Sequence, residues 1–123
     1  MAEHKIGIIL HGSSARGDAR TTSDVDVLVV VERTLSLTRA LYRAWDGVPI
    51  AWNGRAVDAH FVHLPDDPRH AGGVWCEAAV DGILLHDIGG RVDETLRAIR
   101  RAIADGHLVR RHAHGQPYWT VAA

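Results

Sequence analysis

The sequence predicts an α/β (α+β) fold, a small mixed β-sheet with helices packed on it. Three observations predict it. Two short β-branched runs, Ile6 to Leu10 and Val25 to Val31, are each bounded by turn-forming residues. Asn53-Gly54 divides two further apolar runs in the manner of a tight hairpin. Val92, Leu96, Ile99 and Ile103 recur at helical spacing. With 123 residues the chain suits one domain, residues 1–123, around a single hydrophobic core.

Ile6 to Leu10 is short and apolar and stops at Gly12, which reads as a buried first strand. Ser13 and Ser14 can cap a short helix through about Asp18, because hydroxyls satisfy the free N–H groups of a helix start. Thr21-Thr22-Ser23 is a polar connection. Val25 to Val31 carries valine at five of seven positions and is the strongest strand signal in the chain. Ser36 is placed to cap a helix through Trp45, with Leu37, Leu41, Ala44 and Trp45 on one face, and Gly47 and Pro49 stop it. Pro49 to Trp52 and Arg55 to His63 form the arms of the Asn-Gly hairpin.

Two prolines, two adjacent aspartates and two glycines make His63 to Gly73 a loop. Val74 to Val80 reads as a short helix ended by Asp81-Gly82, and Ile83 to His86 as a short strand. The helix opened by Val92 breaks at Gly106, and Leu108 to His114 is expected to add another helical turn or two. The tail Gln116-Pro117-Tyr118-Trp119-Thr120-Val121 is aromatic and should dock on something.

The net charge is -1, so no overall field draws the chain to nucleic acid or anionic membrane, and direct nucleic-acid binding is not expected. Cys76 is the only cysteine, which excludes an intrachain disulfide. No apolar stretch approaches the roughly 20 residues of a membrane helix, and the N-terminus is too soon interrupted for a signal peptide. A cytoplasmic protein without membrane attachment is the expectation.

Asp24 and Asp26 are two apart in a strand, so their side chains share a face while Val25 and Val27 point to the other. Two carboxylates that close repel unless a cation sits between them, and magnesium is the usual hard ion for carboxylates together with substrate phosphates. Alone, an Asp-x-Asp pair is also common in polar strand ends. Upstream, Gly12 lets a ligand approach the backbone, free N–H groups at a helix start favour phosphate, and Ser13 adds a hydroxyl donor. Strand, Gly12-Ser13, ten residues, then Asp24-x-Asp26 opening a valine-rich strand is far more specific than either piece.

That stretch resembles the signature of the DNA polymerase β-like nucleotidyltransferase superfamily, and within it the minimal nucleotidyltransferases. The family carries a third carboxylate, flanked by apolar residues, on a later strand, and Ala56-Val57-Asp58-Ala59-His60-Phe61-Val62 supplies it. The match covers residues 6–31 and 55–63. The resemblance implies a nucleotidyltransferase fold and a catalytic set of Asp24, Asp26 and Asp58 holding two magnesium ions. Asp24 and Asp26 would hold the nucleotide-bound ion, and Asp58 would ligate the second and help activate an acceptor hydroxyl. Gly12 and Ser13 would bind the terminal phosphates. Arg16 would serve as a phosphate fork or pair with Asp18 or Asp24. The donor implied is ATP and the group transferred AMP.

Larger members add a domain that grips base and acceptor, and here the chain ends soon after its last predicted helix. The expected acceptor-binding body is therefore another polypeptide or another copy of the chain. Family precedent is a toxin–antitoxin pair, in which the minimal nucleotidyltransferase transfers AMP to a tyrosine of a HEPN-type ribonuclease toxin. The alternatives are nucleotide transfer to a small molecule such as an aminoglycoside, and a non-catalytic partner-binding module with a vestigial site.

Other residues have bland readings beside sharp ones. His60 shares the strand face of Asp58, so it lines the site or is an ordinary exposed strand histidine. His60-x-x-His63 and His112-x-His114 lack a full set of zinc ligands. Arg97, Arg100, Arg101, Arg110 and Arg111 read as a solvated face, with Asp93 and Glu94 offering helical ion pairs to Arg97. Trp45 and Trp75 fit core positions. Trp52, Tyr118 and Trp119 are candidate interface anchors.

Overall fold

The computed structural model describes residues 5–12, 25–46, 51–52 and 55–122. Lys5–His11 forms β1 and Val25–Val31 forms β2, antiparallel neighbours whose β-branched side chains fill both faces of the sheet. Helix α1, Arg39–Asp46, leads to the short β3, Ala51–Trp52, and to β4, Arg55–Val62. β3 and β4 pair antiparallel with Trp52 opposite Arg55, the register of a two-residue hairpin loop. The Asn53-Gly54 turn itself lies outside the described residues.

A 3-10 turn at Pro68–His70 precedes α2, Gly73–Asp81, then β5, Ile83–Asp87, and α3, Arg91–Ala104. The sheet order is β3-β4-β2-β1-β5, with β2 and β4 parallel and the other pairs antiparallel. The mixed sheet expected from the sequence is therefore present.

Alternation along the strands divides the core between two faces. Ile6, Ile9, Leu28 and Val30 pack with Trp75, Cys76, Val92, Leu96 and Ile99 from α2 and α3. On the opposite face Val25, Val27, Val29 and Val31 pack with Leu41, Ala59 and Phe61. Trp75 occupies the core position expected of it, and its indole N–H donates to the His63 carbonyl at 3.0 Å. Asp87 ends β5 and accepts from the backbone N–H groups of Val92 and Asp93 at 3.0 and 2.9 Å, anchoring the start of α3. Among the described residues no helix is long and apolar enough to cross a membrane.

Two expectations are corrected. The helix expected from Ser36 begins at Arg39, because Thr38 caps it and its hydroxyl accepts from the Leu41 N–H at 3.4 Å. Leu37 thus stays outside the helix and exposed. The Ala44 and Trp45 side chains lie outside the described set. More consequentially, Leu108 to Ala113 is no helical extension. It is strand β6, paired antiparallel with β7, Gln116–Val121. His114 and Gly115 adopt φ of 52° and 77°, the left-handed pair that a type I′ turn requires. The aromatic tail docks as the second arm of this hairpin, with Leu108 buried and Trp119 packed against the core.

Candidate functional site

β1 runs out at His11 and the chain turns at Gly12, whose φ is +72°. A Cβ at Gly12 would lie 2.8 Å from Oδ2 of Asp26, so the position demands glycine for its backbone and for its neighbour. On the other side of β2, Asp26 stands in parallel register with Asp58 of β4. Residues so paired have Cα atoms about 4.8 Å apart and side chains on one face. His11 pairs with Asp26 across β1 and β2, so His11, Asp26 and Asp58 form one row over three adjacent strands. His60, two residues beyond Asp58 on the same face, meets the His11 ring edge-on at 6.2 Å. Asp58 and His60 are exposed and Asp26 is half-buried, so the row opens to solvent.

Of the residues singled out in the sequence, Gly12, Asp26, Asp58 and His60 are thus brought together. Ser13, Arg16 and Asp24, with the expected Ser13–Asp18 helix, lie outside the described residues. His63 turns elsewhere, its Nε2 at 2.7 Å from the Leu35 carbonyl, tying the loop after β2 to the end of β4.

Sequence reasoning missed a second wall. α2 packs beside β1, and Gly73, Val74, Glu77 and Asp81 enclose with His11 and Gly12 a cleft of about 250 Å³. The Glu77 carboxylate accepts from Arg110 Nε at 3.1 Å, from Arg110 Nη2 at 2.7 and 2.8 Å, and from the Trp119 indole N–H at 2.7 Å. Arg110 is therefore not part of a solvated basic face, and Trp119 is not a free interface anchor. Arg97 does pair along its helix with Asp93, at 2.8 Å. The four-residue spacing of Glu77, on the helix expected over Val74 to Val80, and Asp81, at its expected stop, was the available signal, though it could not say which way that face points. A larger groove, about 550 Å³, lies between the 3-10 turn and the end of α3 and shares no residue with the carboxylate row. Its Asp67 and Asp105 offset its Arg69 and Arg101, and it carries no comparable chemistry.

Paired carboxylates on neighbouring strands, against a turn whose backbone has no side chain in the way, suit a hard cation with oxygen ligands and a phosphate-bearing substrate. Residues 2–68 match the family model of the nucleotidyltransferase domain, over half of the chain. The chain belongs to the nucleotidyltransferase domain family. In this nucleotidyltransferase the matched segment contains Gly12, Asp26 and Asp58, while α2, α3 and the β6–β7 hairpin lie beyond it. Among solved structures, a toxin–antitoxin with AMP-PNP aligns at 23% identity over 84% of this chain and 75% of that one, with a TM-score of 0.46. A mutant of the MntA–HpeT toxin–antitoxin aligns at 20% identity over 84% and 75% of the two chains, with a TM-score of 0.45. No curated protein matches the sequence.

Proposed function

We propose that the chain is a magnesium-dependent nucleotidyltransferase that moves AMP from ATP to a hydroxyl of a partner protein, as the antitoxin of a toxin–antitoxin pair. The observation that carries the reading is the register of Asp26 against Asp58 beside the glycine turn at Gly12. The acceptor and antitoxin parts of the reading are supported by the Gly-Ser, ten-residue, Asp-x-Asp spacing of the minimal nucleotidyltransferases.

Each residue then has one task. The backbone at Gly12 and the Ser13 hydroxyl hold the terminal phosphates, with Arg16 as a further donor. Asp24, Asp26 and Asp58 hold two magnesium ions, which when bound neutralise the triphosphate and lower the pKa of the acceptor hydroxyl. Asp58, the exposed end of the row, orients that hydroxyl, and His60 on the same face borders its approach. The half-buried Asp26, whose carboxylate lies beside Gly12, holds the nucleotide side of the site.

The test is direct. Mg-ATP labelled at the α-phosphate, the purified chain and whichever protein is encoded beside it are incubated together. The partner should gain one AMP by mass, and Asp26→Asn should abolish the gain. A partner of unchanged mass, with wild-type chain that Mg-ATP does not stabilise thermally, would sink the reading.

A further inference from the structure

The cleft beside Gly12 has an acidic wall. Glu77 and Asp81 sit one helical turn apart on α2 and line it together with His11 and Gly12. A triphosphate held at Gly12 would face both carboxylates, and like charges at such range repel. Arg110 meets both of them. It grips Glu77 through Nε and Nη2, its Nη2 lies 3.7 Å from Asp81 Oδ2, and its guanidinium sits over the Trp119 ring at 5.4 Å. Arg110 and Trp119 are directly opposite in the β6–β7 ladder, so one hairpin delivers two donors to one carboxylate. The Arg110 and Glu77 side chains are each 33% exposed, which screens the pair less than an open surface would.

We infer that Arg110 is a positioning residue of the nucleotide site: it holds Glu77 and Asp81 and offsets one of their two charges, so that the cleft beside Gly12 accepts the pyrophosphate end of Mg-ATP. The inference rests on the nucleotide reading of Gly12 and Asp26. All four residues of the clamp lie beyond the segment matched by the family model.

Mg-ATP titrated calorimetrically into the full chain at low and high salt tests it, with folding of every variant checked by thermal melting. Arg110→Gln should weaken binding about fivefold at low salt, the order expected when one unit charge near a bound phosphate is lost at a permittivity between those of protein and water. The loss should shrink to about twofold or less near 0.5 M salt. Arg110→Lys, which keeps the charge, should stay within about twofold of wild type. Glu77→Gln combined with Arg110→Gln should recover most of the affinity although the clamp is still absent, a rescue that a purely structural role would not produce. Unchanged binding by a folded Arg110→Gln chain, or a double variant as weak as the single, overturns the inference alone. Wild-type chain that does not bind Mg-ATP overturns the nucleotide reading and this inference with it.

Discussion

Alanine at Gly12 should cost more than alanine at Gly89, and the excess measures the contact with Asp26. Both glycines have positive φ, +72° and +71°, so each substitution forces an L-residue into the left-handed region at roughly 1–2 kcal/mol. At Gly89 an added Cβ meets nothing within 4 Å, so that cost stands alone. At Gly12 the Cβ arrives 2.8 Å from Asp26 Oδ2, the end of a side chain that can turn aside. Turning it off its rotamer adds about 0.5–1.5 kcal/mol. The expected destabilisation is thus about 1.5–3.5 kcal/mol at Gly12 against about 1–2 at Gly89.

Urea unfolding of Gly12→Ala, Gly89→Ala, Asp26→Ala and the Gly12→Ala/Asp26→Ala double variant reads this out. Removing the carboxylate leaves the new Cβ only an ordinary contact, 3.6 Å from Asp26 Cβ, so the excess should vanish in the Asp26→Ala background. A coupling energy of about 1 kcal/mol is expected, and a value below about 0.3 kcal/mol would refute the argument. The functional counterpart is sharper. Mg-ATP should raise the melting temperatures of wild type and Gly89→Ala alike, and should fail to do so for Gly12→Ala, whose Asp26 carboxylate has been turned away.

Three further outcomes follow from packing. Asp87→Ala removes both carboxylate contacts to the Val92 and Asp93 N–H groups and should destabilise the fold by about 1–2 kcal/mol in denaturant titration. Gly82→Ala would put a Cβ 2.4 Å from the Ala78 carbonyl oxygen and 2.9 Å from Ile9 Cγ2, and because backbone cannot yield as a side chain does, the loss should exceed about 2 kcal/mol. Cys76 is buried, and burial, aided by the neighbouring Glu77 charge, pushes its thiol above the ordinary value of 9.0. It should resist iodoacetamide in the native protein and react once unfolded. A native pKa raised above the unfolded one contributes stability that is fully present below about pH 9.0 and lost as pH rises through the native value, so Cys76→Ala should flatten the alkaline fall.

Where the sequence misled, the deciding contacts are distant ones. Leu108 to Ala113 has no strict alternation, and His114-Gly115 is not among the usual hairpin pairs, so a helical continuation was the local reading. The strand is imposed from outside: Leu108 is buried against α3, and Arg110 and Trp119 converge on Glu77 of α2. The late start of α1 is the opposite kind of miss, a local one. Ser36 and Thr38 are both competent caps, and the hydroxyl that reaches a free N–H is that of Thr38.

The same division runs through the candidate site. Gly12 and Asp26 were legible because a glycine turn and a period-two strand are local properties. Asp58 was legible for a subtler reason. Ala59 and Phe61 must face the core under α1, so Asp58 and His60 must face the other side, and a slip of β4 by one residue would bury the aspartate and expose the phenylalanine. Apolar alternation on β4 therefore fixes the face of Asp58, although no motif spacing joins it to Asp26. Glu77 and Asp81 had no such constraint. On sequence they are two acids of a short helix, and only Arg110, thirty-three residues from Glu77, gives their side of α2 a meaning. If the clamp acts as inferred, the C-terminal hairpin carries no reacting group, yet it sets the charge that a nucleotide meets at Gly12.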